Sequence, residues 1–343
     1  MIKRIMPTAQ KAVVVWLIVF AVIAASSCKK QETELATQVV VYKTAESGIT
    51  VRETEILTGS LEKPITIVQL SDLHFSGINE KDLEENNPAL MSTYKNRKWM
   101  KDGAAIPNAL KCLEYAAGFD QTVITGDVTD YLSYGSLELV RKFIWEPYPT
   151  VMAAIGNHDV SRVCSGDVED TTTLDSRLEI LQEHWNNNIF YSSKVINDRI
   201  MLIQLDNGSA FSFREQQIAP LKSDLALARD KGYAVLLFYH VPLCTKNPDE
   251  KKCLPIKAYD SKQFNFCSDG VGDETADNAT LAVYDIIVNS ADVIKGCFCG
   301  HLHSDYYTEI VANTPDGTPA VIPQYVISGT PYDNGHVLKI TVL

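Results

Sequence analysis

The chain has 343 residues, 45% of them hydrophobic and 22% charged, with 18 Gly and 14 Pro. This ordinary globular balance excludes collagen-like, disordered and multi-pass membrane classes, and the length suffices for one large domain or two small ones. Basic residues number 31 against 43 acidic, a formal charge of −12. That argues against a general DNA- or RNA-binding surface, which needs a basic footprint. A phosphate-bearing substrate stays open, because a bound metal supplies positive charge locally.

The leader comes first. Lys3, Arg4 and Lys11 precede an uncharged run over residues 12–25, after which the chain turns small and polar at Ser26, Ser27 and Cys28. The run is shorter than the roughly 20 apolar residues of a spanning helix, so it reads as a secretory signal. Ala25-Ser26-Ser27-Cys28 resembles the lipobox of bacterial lipoproteins, with Ala25 where Leu is usual. The resemblance implies lipidation of Cys28, a polar tether to about residue 38, and a body anchored in the bacterial cell envelope on the periplasmic or surface face. An ordinary cleaved signal with release to the periplasm and an uncleaved anchor are the alternatives. The expected organisation is a signal over 1–27, a tether and N-terminal strand region over 28–60, and a globular domain over 61–343.

From residue 65 onward, short apolar runs alternate with helical patterns, the signature of an α/β domain. Strands are expected at 65–70, 122–124, 151–155, 200–205, 234–239 and 292–298. Helices are expected at 107–117, 136–143, 175–185, 213–231 and 276–289; in the fourth, Ile218, Leu221, Leu225 and Ala228 recur at steps of three and four. Further strands follow at 306–311, 320–327 and 337–342. The polar stretches 76–104 and 243–278 read as long loops, the second overhanging the site. Cys164, Cys244, Cys253 and Cys267 lie in such segments and are the disulfide candidates; Cys112, Cys297 and Cys299 sit in apolar patterns and read as buried thiols.

Metal-ligand residue types gather where the strands end. The first strand is followed by Asp72-Leu73-His74, the second by Gly126-Asp127-Val128-Thr129-Asp130, and the third by Gly156-Asn157-His158-Asp159. His240 closes the run at 234–239, and Gly300-His301-Leu302-His303 follows the last. Five of the seven His fall in these blocks, leaving only His184 and His336 outside. In an open sheet the strand C-termini face one crevice, so such side chains converge from distant parts of the chain. Alternation in an extended backbone is expected to send both outer residues of Asp-x-His and His-x-His to one side. Carboxylates, imidazoles and an amide oxygen suit Mn, Fe, Zn or Co.

Together the five blocks resemble the calcineurin-like metallophosphoesterase superfamily of the Asp-x-His type. The resemblance implies a four-layer αββα sandwich of two mixed sheets with flanking helices, and a dimetal site at the strand C-terminal edge. It also implies that Asp72, His74 and His303 hold one metal, that Asn157, His240 and His301 hold the other, and that Asp127 bridges both. His158 faces the leaving group, Asp159 orients its imidazole, and Asp130 supports the site from behind. Asp130 stands where purple acid phosphatases have a Tyr ligand, which argues against that branch. The implied reaction is hydrolysis of a small phosphomonoester or phosphodiester by in-line attack of a metal-bridging hydroxide. A nuclease of the same superfamily and a non-catalytic surface binding lipoprotein on this scaffold are the alternatives, and the acidic charge weighs against nucleic acid as a partner. Tyr94, Arg97, Lys98 and Trp99 read as a solvated loop face rather than a phosphate clasp. Asp206-Asn207 reads equally as site rim or turn, and Asn207 and Asn278 match glycosylation acceptors that a bacterial lipoprotein does not use.

Overall fold

A computed structural model describes residues 41–44, 48–59, 61, 63–101, 103–163, 169–245 and 277–343. The leader with Cys28, and Cys164, Cys253 and Cys267, lie outside the described residues. In chain order the elements begin with β1 (Val41–Thr44), β2 (Thr50–Ile56) and β3 (Ile65–Leu70), then α1 (Glu80–Glu85), α2 (Pro88–Asn96), α3 (Lys98–Lys101) and α4 (Ala105–Ala116). Next come β4 (Gln121–Thr125), α5 (Tyr134–Val140), β5 (Met152–Ala154), α6 (Leu174–His184), β6 (Tyr191–Ile196), β7 (Ile200–Leu205) and α7 (Ile218–Lys231). The chain then continues through β8 (Ala234–Phe238), α8 (Asn278–Val288), β9 (Ile294–Cys299), β10 (Tyr306–Asn313), β11 (Pro319–Val326) and β12 (His336–Val342).

The strands form two six-stranded sheets, ordered β1-β2-β12-β3-β4-β5 and β10-β11-β9-β8-β7-β6. Each is mixed. β3, β4 and β5 are parallel, as are β7, β8 and β9, while β12 runs antiparallel to β3 and β6 antiparallel to β7. Strand periodicity divides the side chains between two faces. Ile67, Val123 and Ile340 of the first sheet meet Leu202, Leu236, Phe238 and Phe298 of the second in a shared apolar layer. The opposite faces carry helices: α4 sets Ala109, Cys112, Leu113 and Ala116 on Val68 and Ile124, while α7 and α8 set Leu221, Leu225, Val283 and Ile287 on Ile203 and Leu237. This is the expected four-layer αββα arrangement, and it turns the C-terminal ends of the parallel strands of both sheets to one edge.

Two expectations need correction. Residues 76–104 are not a simple loop but hold α1, α2 and α3. They are started by caps rather than by apolar period: Asn79 and Asp82 form a capping box, and the Asn87 side chain accepts from the amides of Ala89 and Leu90 ahead of Pro88. β2, within the stretch 28–60 where an N-terminal strand region is expected, pairs in parallel with β12, from Thr50 opposite His336 to Ile56 opposite Val342. β6 was not anticipated because it is an edge strand with exposed residues and no apolar run. The helix expected from residue 213 starts at Ile218 after a 3-10 turn over Glu215–Gln217.

Cys112, Cys297 and Cys299 are free and buried as expected, and burial pushes the Cys112 and Cys297 thiols up to about 12. Cys244 is disulfide-bonded. Among the described residues no helix is long and apolar enough to cross a membrane.

Candidate metal centre

The loops after β3 and β4 are zipped to one another by their backbones. The amides of Asp72, His74 and Phe75 donate to the carbonyls of Gly126, Asp127 and Val128 at 3.0, 3.0 and 2.9 Å, and Asp130 N–H returns to Phe75 O at 2.9 Å. From the second sheet, Gly300 N–H donates to His240 O at 3.0 Å. The convergence of Asp72 with His74 and of His301 with His303 does not come from an extended backbone, contrary to the sequence expectation. All four residues, and Asp127, are left-handed, with φ of 51°, 53°, 70°, 50° and 49°. Each such residue costs about 1–2 kcal/mol, and alternate left-handed residues turn both outer side chains of a three-residue block inward. Gly126, at φ 90°, lies where an added Cβ would stand 2.5 Å from His240 Nδ1. At Gly156 an added Cβ would stand 2.1 Å from Asp127 Oδ1, so that position accepts no side chain either.

Two carboxylates lie at the centre, each with one oxygen pinned by a backbone amide. His158 N–H donates to Asp127 Oδ1 at 2.9 Å and His301 N–H to Asp72 Oδ2 at 3.0 Å. The other oxygens face imidazoles: Asp127 Oδ2 is 3.4 Å from His240 Nε2, and Asp72 Oδ1 is 3.1 Å from His303 Nε2. His74 Nε2 is 3.3 Å from His303 Nε2; His240 Nε2 is 3.2 Å from both His301 Nδ1 and Asn157 Oδ1. Among the described residues three groups with metal-ligand atoms in reach of one another result: Asp72–His74–Asp127–His303 and Asp127–His240–His301, which share Asp127, and His74–Asp130–His158 behind the first.

The residues fit divalent cations. Among the described residues Asp72 Oδ1 is a buried oxygen with no well-formed hydrogen bond, its near neighbour being His303 Nε2 at 3.1 Å. The outer nitrogens of the imidazoles are tied from behind: His74 Nδ1 to Asp130 Oδ1 at 2.9 Å, His240 Nδ1 to Thr125 O at 2.8 Å, and His303 Nδ1 to Tyr332 Oη at 2.9 Å. A proton on each outer nitrogen leaves the inward lone pair for a metal. Burial works against ionisation of both carboxyls, yet the His303 and His240 imidazoles hold Asp72 at about 2 and Asp127 well below the usual carboxylate range. Burial lowers His74, and burial with the nearby His240 lowers His301 to about 3, so both are neutral ligands in waiting. For His240, burial is outweighed by the Asp127 and Asp72 charges, which raise it to about 9. The pocket favours positive charge.

Two expectations are corrected behind this centre. Asp159 does not orient the His158 imidazole. Its carboxylate accepts from Thr129 N–H at 2.7 Å, Thr129 Oγ1 at 3.0 Å and Gly156 N–H at 2.8 Å, tying the second and third blocks together. The His158 Nδ1–H instead donates to the backbone carbonyl of Asp130 at 2.8 Å. Arg97 is not a solvated loop residue: its guanidinium forks onto Asp130, Nε to Oδ2 at 2.7 Å and Nη2 to Oδ1 at 2.5 Å. Asp130 therefore supports His74 as expected, with Arg97 fixing it in turn.

Sequence reading missed Tyr332 and the part played by Asn207. The latter is fully buried, accepts from the amides of His240 and Val241 at 3.1 and 2.9 Å, and donates to Val241 O at 2.7 Å. This clamp sets the His240 turn, and it withdraws Asn207 from any glycosylating surface. An Asn directly past an apolar run was the available signal. Tyr332, far along the chain in a turn, offered none.

The sequence model described as calcineurin-like phosphoesterase matches residues 65–305. Among curated proteins none matches the chain in sequence. Similar solved structures include a dimetal phosphatase from Danio rerio, with a TM-score of 0.41, 13% identity, and 78% of this chain and 88% of that one covered. A purple acid phosphatase from yellow lupin, Lupinus luteus, gives a TM-score of 0.43 and 12% identity over 84% of this chain and 49% of that one. The NAD nucleotidase of Haemophilus influenzae gives 0.38 and 13% over 79% and 46%. On the family match and the clustered ligands, the chain belongs to the calcineurin-like phosphoesterase family and is a metal-dependent phosphoric ester hydrolase with a dinuclear divalent metal site.

Proposed function

We propose that this protein is an exported, lipid-anchored phosphoesterase that hydrolyses a small phosphomonoester or phosphodiester. Asp72, His74 and His303 would hold one cation, Asn157, His240 and His301 would hold the other, and Asp127 would serve both. When bound, two divalent cations supply the Lewis acidity that activates water and neutralises phosphoryl oxygens. The rest is done by the chain itself. The amides of His158 and His301 fix the carboxylates so that neither swings when a phosphoryl group arrives. The His158 ring is oriented by its Nδ1–H bond to the Asp130 carbonyl, and its Nε2 carries the proton that the leaving oxygen takes up. Asp130, Thr125 and Tyr332 keep the other imidazoles in one tautomer.

The observation that carries this reading is the meeting of Asp72, Asp127, His74, His240, His301 and His303 from the loops of both sheets with every candidate lone pair turned inward. Metal analysis of purified protein, with turnover of 4-nitrophenyl phosphate and of bis-(4-nitrophenyl) phosphate, tests it. Two ions per chain and turnover abolished in Asp127→Ala are expected; stoichiometric metal with no turnover of either ester would leave a binding scaffold. Anchoring rests on Ala25-Ser26-Ser27-Cys28. Cys28→Ala is expected to move the protein from the membrane to the soluble envelope fraction and to end palmitate labelling.

A further inference from the structure

Beside the His240–His301 half of the centre lies a cavity of about 390 Å³, lined by Asn157, His158, Leu174, Arg177 and Phe211, among others. It opens onto the histidine assigned to the leaving group, so, given the phosphoesterase reading, it receives the alcohol portion of the ester. Its volume is within the range of small-molecule pockets and exceeds what a bare phosphate needs. Its walls are of two kinds. Val160, Val163 and Leu174 give an apolar side. Phe211 stands at the mouth, 36% exposed, its ring edge-on to His301 at 5.8 Å between centroids. Exposed aromatic area beside a reacting centre suits a planar ring.

Arg177 is the other wall. From the first turn of α6 its Nη1 donates to Asp170 Oδ2 at 2.5 Å, and Asp170 is held by Thr172 through its amide at 3.1 Å and its hydroxyl at 2.8 Å. Among the described residues Nη2 makes no hydrogen bond, which leaves that side of the guanidinium fork unspent, while Nε is enclosed behind it. Only 18% of the side chain is exposed. A cation positioned by a buried carboxylate, with a donor left over and a cavity in front, is built to take an anionic group.

We infer that the enzyme prefers phosphoesters whose alcohol portion carries both a planar ring and a second anionic group, with Phe211 receiving the ring and Arg177 the anion. A nucleotide with two separate phosphates and a carboxylated aryl ester share this chemistry. The metal-loaded full chain is assayed for kcat/KM on methyl phosphate, phenyl phosphate and 3-carboxyphenyl phosphate, and on adenosine 5′-monophosphate against adenosine 3′,5′-bisphosphate. The wild type is expected to favour the doubly anionic member of at least one pair by about tenfold or more. Arg177→Gln should erase that preference mainly through KM, with Arg177→Lys retaining part of it. Phe211→Leu, at an exposed position, should reduce the preference for phenyl over methyl phosphate and serves if Arg177→Gln does not fold. The pair that responds identifies the source of the anion. Preferences unchanged in Arg177→Gln and Phe211→Leu, or a wild type indifferent to the second anion, would overturn the inference while leaving the phosphoesterase reading intact; no turnover of any ester would instead remove that reading.

Discussion

Asp127 presents its two oxygens to different neighbours, one to the His158 amide and one to the His240 imidazole, and the same division recurs at Asp72. Residues that touch the reaction and residues that hold others in place therefore have separable signatures. His158→Gln is expected to lower kcat by about 10²–10⁴-fold, the usual worth of a general acid, with metal content unchanged by elemental analysis. Asp130→Asn should behave differently: it weakens the grip on His74 Nδ1 and on Arg97, and a loss of about 10–100-fold in metal affinity is expected, visible in a competition titration with a chelator. Asp159→Asn puts an amide where the backbone donors of Thr129 and Gly156 both need an acceptor. Its expected effect is a stability loss of about 1–3 kcal/mol in chemical denaturation, with no change in the pH profile of His158. The motif residues were legible because strand ends followed by Asp, Asn and His announce themselves. The partner of the His158 imidazole was not, since a backbone carbonyl leaves no mark in the sequence.

At the scale of elements, polar contacts cross between the two sheets as well as apolar ones. Arg52 on β2 donates through Nη1 to the carbonyls of Tyr306 and Val326, both at 2.9 Å, and Thr54 Oγ1 donates to Tyr325 Oη at 2.9 Å. Arg52→Leu would strand two carbonyls and is expected to cost about 1–3 kcal/mol in denaturant unfolding. At the start of β12, His336 Nδ1 faces Asp305 Oδ2, in the connection that leads into β10, at 3.4 Å. Burial pushes His336 down, but Asp305 outweighs it and the net shift is upward; burial pushes Asp305 up, and His336 and the Ser328 amide bring it net down. A raised imidazole binds its proton more tightly in the folded state. Its stabilisation is full below the unfolded value of 6.5 and disappears as pH rises through the folded value. That of Asp305 is present above 3.8 and disappears as pH falls through its own lowered value. Thermal melts from pH 5 to 9 should show His336→Asn flattening the alkaline decline of Tm. The apolar strands and α4, α6, α7 and α8 were readable from periodicity. The elements α1 to α3 and β6 were not, because they bury few side chains and owe their form to caps, to α5 or to an edge partner.

For the molecule as a whole, the centre works against folding until its charge is answered. Two ionised carboxylates and five left-handed residues are gathered at one sheet edge. Cations that bind only the folded chain stabilise it by mass action, about 2.7 kcal/mol at a hundredfold excess over Kd. Chelation should therefore lower Tm, added Mn or Zn should restore it in a concentration-dependent way, and Asp127→Asn should abolish the response; calorimetry decides. The order of apolar runs and ligand blocks already placed the ligands together, because strand direction obliges residues past the C-terminal ends to share an edge; the layered fold and the class of reaction followed from the family resemblance that those blocks carry. Only the tertiary structure decided how the blocks are aimed and which residues stand behind them. Left-handed turns, the zipper between the β3 and β4 loops, the Arg97 fork on Asp130 and the Arg177 wall all depend on distances through space between segments far apart in the chain, and local sequence pattern carries no record of such distances.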